Sequence, residues 1–82
     1  MTISLTPSAN KRFNNMRILI DHYSLLLDAR RCHERVAELL PMHVGIEAIV
    51  DVIGSVVCVF VICPPQHAVE VCKALEADGF EL

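Results

Sequence analysis

The segment from Val44 to Cys63, V-G-I-E-A-I-V-D-V-I-G-S-V-V-C-V-F-V-I-C, is the densest run of β-branched residues in the chain, broken by Gly54-Ser55. Two apolar runs flanking a Gly-Ser dipeptide predict a β-hairpin closed by a two-residue turn, with glycine supplying a positive φ. In the first run Ile46, Ala48, Val50 and Val52 alternate with Glu47, Ile49, Asp51 and Ile53, giving one apolar and one mixed face. The second run, Val56 to Ile62, is apolar on both faces and therefore expects cover on both sides. A membrane span of similar length is disfavoured, because Glu47 and Asp51 would lie inside the bilayer at a cost of several kcal/mol each.

The rest of the chain must supply that cover. Asp28 to Leu40 predicts a helix: Asp28 caps it, and Ala29, Cys32, Val36, Leu39 and Leu40 recur at the helical period. Arg30 with Glu34 and Arg35 with Glu38 fall at pairing distance on its outer side, and Pro41 ends it. A second helix is expected from Pro65 to Asp78, with Ala68, Val71, Cys72 and Leu75 as its apolar stripe and Gly79 as its stop. Phe80-Glu81-Leu82 then reads as the beginning of a last, short strand.

Residues 7–27 admit two readings. Thr6-Pro7 resembles a helix start, and Phe13, Met16, Ile20, Tyr23 and Leu27 keep a heptad-like spacing, so one helix from Pro7 to Leu40 fits. Alternatively Arg17 to Tyr23 is a strand and residues 1–15 form a helical or mobile extension. The strand is preferred, because an isolated hairpin needs a third strand to be stable. The resulting order is that of a ferredoxin-like βαββαβ two-layer sandwich, an α+β fold with both helices on one face of an antiparallel sheet. One domain over residues 16–82 is expected, since 82 residues scarcely suffice for a single core. The other sheet face would carry Glu47, Ile49, Asp51 and Ile53. It is too apolar for open solvent, and these four residues are the expected interface to a partner chain.

Charge and thiol usage narrow the function classes. The net charge of −3 argues against nucleic acid. Residues 1–43 carry a net +2 and residues 44–82 a net −5, an asymmetry that suits a solvated surface before self-association or a basic protein partner. The start of the chain lacks the pattern of a signal peptide, and Cys32, Cys58, Cys63 and Cys72 lie within apolar patterns, so free buried thiols and a cytoplasmic setting are expected. Cys63-x-x-x-His67 and Cys32-His33 invite a metal reading, but neither has the spacing of preorganised zinc ligands, and no metal or other cofactor is predicted. No nucleophile-and-base motif or glycine-rich phosphate loop is present, so a non-enzymatic chain is expected.

The segments R-V-A-E-L-L (35–40), G-I-E-A-I (45–49), V-C-V-F-V (57–61) and A-V-E-V-C-K-A-L-E-A-D-G-F-E-L (68–82) resemble the ACT domains that regulate amino-acid metabolism. The resemblance covers residues 28–82. It implies a regulatory domain that forms a homodimer and binds a small effector, often an amino acid, between its first strand-to-helix loop and a neighbour's second strand. That loop commonly reads Asp-x-Pro-Gly in the family; here it is D-H-Y-S-L-L-L-D, in which only Asp21 matches. The ligand-binding candidates are therefore Asp21, His22, Tyr23 and Ser24, with Gly45 and Ile46 from the second-strand side. The alternative is a small protein-interaction module, an adaptor, subunit or inhibitor, that docks on a larger protein without a small ligand.

Overall fold

The computed structural model describes residues 15–82; the expected extension over 1–15 lies, but for Asn15, outside the described residues. Strand β1 spans Met16–Tyr23, helix α1 Leu26–Leu39, strand β2 Glu47–Ile53, strand β3 Val56–Cys63, and helix α2 Ala68–Glu76. A single 3-10 turn, Pro65–His67, leads into α2. The strands form one antiparallel sheet in the order β1-β3-β2, so the most apolar strand is central and bonded on both edges. This is a small α+β fold with element order β-α-β-β-α. Because β1 is a strand, a continuous helix through residues 16–23 is excluded.

The hairpin forms where its alternation and turn residues place it. Ile53 pairs with Val56, and Gly54 takes φ 63° while Ser55 does not have a positive φ, the pattern of a type II′ turn. Register then sorts the side chains. Ile18, Ile20, Ala48, Val50, Val57, Val59, Val61 and Cys63 face the helices, whose Ala29, Cys32, Val36, Val71 and Leu75 complete the core. The order of layers follows from burial: β3 contributes four of the ten core-cluster residues because both of its neighbours are strands.

Three expectations are corrected. Helix α1 begins at Leu26 rather than at Asp28; Leu25 is its cap residue without a side-chain cap bond, and Asp28 lies in the first turn, where its charge suits the helix dipole. Helix α2 ends at Glu76 rather than Asp78. Phe80–Leu82 forms no strand. Instead the chain folds back in a Schellman cap: Phe80 N–H donates to Leu75 O at 3.2 Å, Gly79 N–H donates to Glu76 O at 3.0 Å, and Gly79 takes φ 102°. Phe80 then packs against the core that contains Leu75, the hydrophobic contact that accompanies this cap. The Phe80 N–H, which a fourth strand would have used at this point, is spent on closing the helix.

Arg35 fastens the end of that cap to α1. Its Nε donates to Asp78 Oδ2 at 3.0 Å and its second guanidinium nitrogen donates to Asp78 Oδ1, while Glu38 lies 3.7 Å from the same group. The other expected helix pair, Arg30 with Glu34, does not close. The Arg35 hydrogen bonds hold the Asp78 carboxyl below the usual carboxylate range, with burial opposing them. A carboxyl with a lowered folded value stabilises above its unfolded value, about 3.9, and loses that contribution as pH falls through the folded one. Asp78→Asn is thus expected to lower the urea midpoint at pH 7, with the gap to the native chain closing below about pH 4. A gap that stays the same size from pH 7 to pH 3 would assign the effect to packing instead.

Candidate functional site

The face of the sheet turned away from the helices carries Arg17, Leu19 and His22 from β1, Glu47, Ile49, Asp51 and Ile53 from β2, and Val56, Cys58, Phe60 and Ile62 from β3. Neither α1 nor α2 covers it. Leu19 is 50% exposed and Ile53 54%, whereas Ile49, Phe60 and Ile62 are half-buried by their neighbours. Cys58, between His22 and Asp51 in the register, is 6% exposed. Single exposed apolar side chains are ordinary, but a contiguous row across three strands is the mark of a contact surface.

One side chain partly covers this row. Arg17 extends from β1 across β3, its guanidinium carbon 4.4 Å from the centre of the Phe60 ring, and reaches Asp51 Oδ2 on β2 at 3.1 Å. The geometry combines a cation–π contact with an ion pair, each worth about 1 kcal/mol or less at half-exposed positions. It leaves Leu19, Ile49, Ile53 and Ile62 open around it. Of the four expected interface residues, all lie on this face; Asp51 is the one already engaged within the chain, and Glu47 makes no ion pair among the described residues.

The candidate ligand residues do not converge within one chain. Strands β1 and β2 flank β3 and run in the same direction, so Asp21, His22, Tyr23 and Ser24 lie at the hairpin end of the sheet and Gly45 and Ile46 at the other. Six residues of strand separate them, roughly 20 Å at about 3.3 Å per residue. A β-bulge between Leu19 and Asp21 adds a twist that simple alternation does not reveal. It reverses the parity of the rest of β1, sending Tyr23 toward the core and His22 to the open face.

At the hairpin end the Asp21 carboxylate accepts from the His22 backbone N–H at 2.8 Å and from the Tyr23 hydroxyl at 3.1 Å. The Tyr23 phenol is held well above its ordinary value, first by a hydrogen bond with the Cys32 side chain, then by burial, then by Asp21. Burial pushes the Cys32 thiol up as well, and the Asp21 charge adds to this, while Tyr23 opposes it. The Asp21 oxygens are thus occupied with internal partners. Ser24 is followed by Leu25, Leu26 and Leu27, each more than half exposed, so this end presents apolar surface next to its polar cluster.

All four cysteines are free; Cys32, Cys58 and Cys63 are buried and Cys72 is half-buried. Burial, and then the neighbouring Cys72, push the Cys63 thiol up, the opposite of an activated nucleophile. His33 Nε2 lies 2.9 Å from the carbonyl of Ala48, a contact that fixes the proton on Nε2 and joins α1 to the edge strand β2. His67 does not meet Cys63 in a pair of ligand atoms; it stacks instead on His43, with ring centres 4.6 Å apart, beside Glu70. Of that cluster the sequence carries only the His67-x-x-Glu70 spacing, one helical turn; His43 joins through the tertiary fold. No helix among the described residues is long and apolar enough to cross a membrane.

Comparison with family models, with curated proteins and with solved structures found no match for this chain.

Proposed function

We propose that the chain is a non-catalytic interaction domain that forms a homodimer through the open face of its sheet. The observation that carries this reading is the apolar row Leu19, Ile49, Ile53, Phe60 and Ile62 on a face that neither α1 nor α2 covers. The occupant is a second copy because the face is self-complementary in charge. Arg17 on one edge strand and Glu47 on the other share a register level through Ile62. A two-fold axis parallel to the strands lays β1 of one protomer over β2 of its partner, bringing Arg17 toward a second Glu47, as an isologous contact requires.

The strand order β1-β3-β2 corresponds to a ferredoxin-like sandwich without its last strand, whose slot lies beside β1. We read the domain as ACT-like on this order and on the helix that closes at Gly79-Phe80. A regulatory role, with an amino-acid effector bound between Asp21–Ser24 of one protomer and Gly45–Ile46 of its partner, follows from the same reading. The two groups lie roughly 20 Å apart along the strands, and a two-fold axis parallel to the strands keeps them at that separation between protomers, so a shared effector site requires a second, different contact between copies. The docking of one copy on a larger protein partner is the second reading, favoured by the exposed Leu25, Leu26 and Leu27.

The area sets the expected strength. Three strands of about 26 Å at a spacing of about 4.8 Å present on the order of 400 Å² per copy. That is below the roughly 800 Å² per partner of a standard stable interface, so a weak dimer is expected, with micromolar dissociation. A melting temperature that rises with protein concentration tests the dimer, and a thermal-shift series against the amino acids tests the effector. Stabilisation by one amino acid supports the regulatory reading. A flat response to all of them, with the concentration dependence retained, leaves the interaction domain and removes the effector.

A further inference from the structure

We infer that His43, His67 and Glu70 form a binding site for a divalent transition-metal ion of the zinc class. Glu70 Oε1 lies 3.3 Å from His67 Nδ1, and Glu70 Oε2 lies 3.4 Å from His43 Nε2. The ligand atoms of the three residues all fall within 4.8 Å of one another. These separations are longer than the 2.7–2.9 Å typical of a charge-assisted hydrogen bond, at about which a simple His–Glu pair settles. The His67–Glu70 contact is within hydrogen-bond reach, and each separation, made to a different Glu70 oxygen, is also compatible with the roughly 3.3 Å between ligands of an ion with bonds of about 2.0–2.1 Å. The two imidazoles stack with 14° between their planes, so binding one ion requires a ring to rotate out of the stack, which the partial exposure of both side chains permits.

The three residues are also fixed by their backbones before any ion arrives. His67 follows Pro64-Pro65, donates its N–H to Pro64 O at 2.9 Å, and is the cap residue of α2. Glu70 lies one turn further on the same helix. His43 belongs to the α1–β2 loop, where its N–H donates to Pro41 O at 3.0 Å and its carbonyl accepts from Ile46 N–H at 3.3 Å. Gly45 turns this loop at φ 91°, with room for a β-carbon no nearer than 3.6 Å to Pro64, so loop and proline pair lie against each other. Two nitrogens and a carboxylate suit zinc, cobalt or nickel, whereas magnesium and calcium prefer all-oxygen sets. Three protein ligands leave a fourth tetrahedral position open. The groove lined by Val44, Gly45, Pro64, Pro65 and Gln66 also reaches His67, and it is the place from which an exogenous ligand would approach that position. The site uses no residue of the open sheet face and is independent of the dimer proposed there.

The test uses the full, tag-free chain after dialysis against chelator, titrated with Zn²⁺ by calorimetry and with Co²⁺ by visible absorption. One equivalent of each ion is expected to bind, with a tetrahedral Co²⁺ spectrum and no thiolate-to-cobalt charge-transfer band. His67→Gln, Glu70→Gln and His43→Asn are each expected to weaken Zn²⁺ at least about 100-fold, as loss of a direct ligand exceeds the 10–100-fold typical of outer partners. Far-ultraviolet circular dichroism and the urea midpoint of the metal-free variants check that each is folded; the residues are exposed or half-buried, so folding is expected to survive. If a variant fails this check, the metal-induced rise in melting temperature of the native chain, blocked by His modification, serves in its place. Absence of stoichiometric binding, a thiolate band, or affinity unchanged in all three variants would overturn the site.

Discussion

Ile49→Lys is expected to turn the dimer into a monomer without unfolding the chain. Ile49 lies on the open face beside Phe60, its register partner on β3, and takes no part in the core formed with the helices. Within a single chain the substitution places a lysine at a half-buried surface position, where its stem lies along the sheet and its ammonium reaches water. Within the dimer that ammonium is driven against a second apolar face with no acid directly opposite. An uncompensated charge of this kind costs on the order of 3 kcal/mol, more than 100-fold in dissociation constant, and a two-fold interface meets it twice. Ile53→Lys, at the more exposed hairpin end, is expected to act in the same direction with a smaller effect. Sedimentation velocity of each variant, beside an unchanged far-ultraviolet spectrum, reads the result. A variant that still sediments as a dimer would place the contact elsewhere.

The largest effect on folding is expected at Leu75. It is among the largest fully buried side chains, it faces Val36 and the β3 core, and its carbonyl accepts the bond that turns Phe80 back onto that core. Leu75→Ala removes a buried isopropyl group and leaves a void between α2 and the sheet, at a cost of about 2–5 kcal/mol. A chain of this length is expected to have a total stability of only about 4–12 kcal/mol, at roughly 0.05–0.15 kcal/mol per residue. The substitution therefore removes about half of it, and urea denaturation should show a much lower midpoint. Val69→Ala, two thirds exposed on the same helix, is the control and is expected to change little. Equal effects at the two positions would contradict the assignment of α2's buried face.

The hairpin, both helical stripes and the open face of β2 were legible because each rests on local periodicity, and the core residues Ala29, Cys32, Val36, Val71 and Leu75 fall on it. What was not legible depends on contacts distant in sequence or on single irregular residues. The bulge at Ile20 has no glycine to announce it, yet it decides that Tyr23 faces Cys32. The start of α1 lacks a polar cap, since Leu25 holds that place, and so Asp28 drew the boundary two residues late. Gly79-Phe80 reads equally as the entry to a strand and as a helix cap; the core contact of Phe80 selects the cap. The binding candidates came from the ends of strands, but which ends are neighbours depends on β3 lying between β1 and β2. His43 and His67 are 24 positions apart by sequence number and meet only because both flank the same end of the sheet.

The central claim is that the face bearing Leu19, Ile49, Ile53, Phe60 and Ile62 is an interface between two copies. Sedimentation equilibrium of the unmodified chain, over a concentration series through the micromolar range, measures this directly. A reversible monomer–dimer transition within that range is the predicted result. A monomer throughout, up to several hundred micromolar, would contradict it.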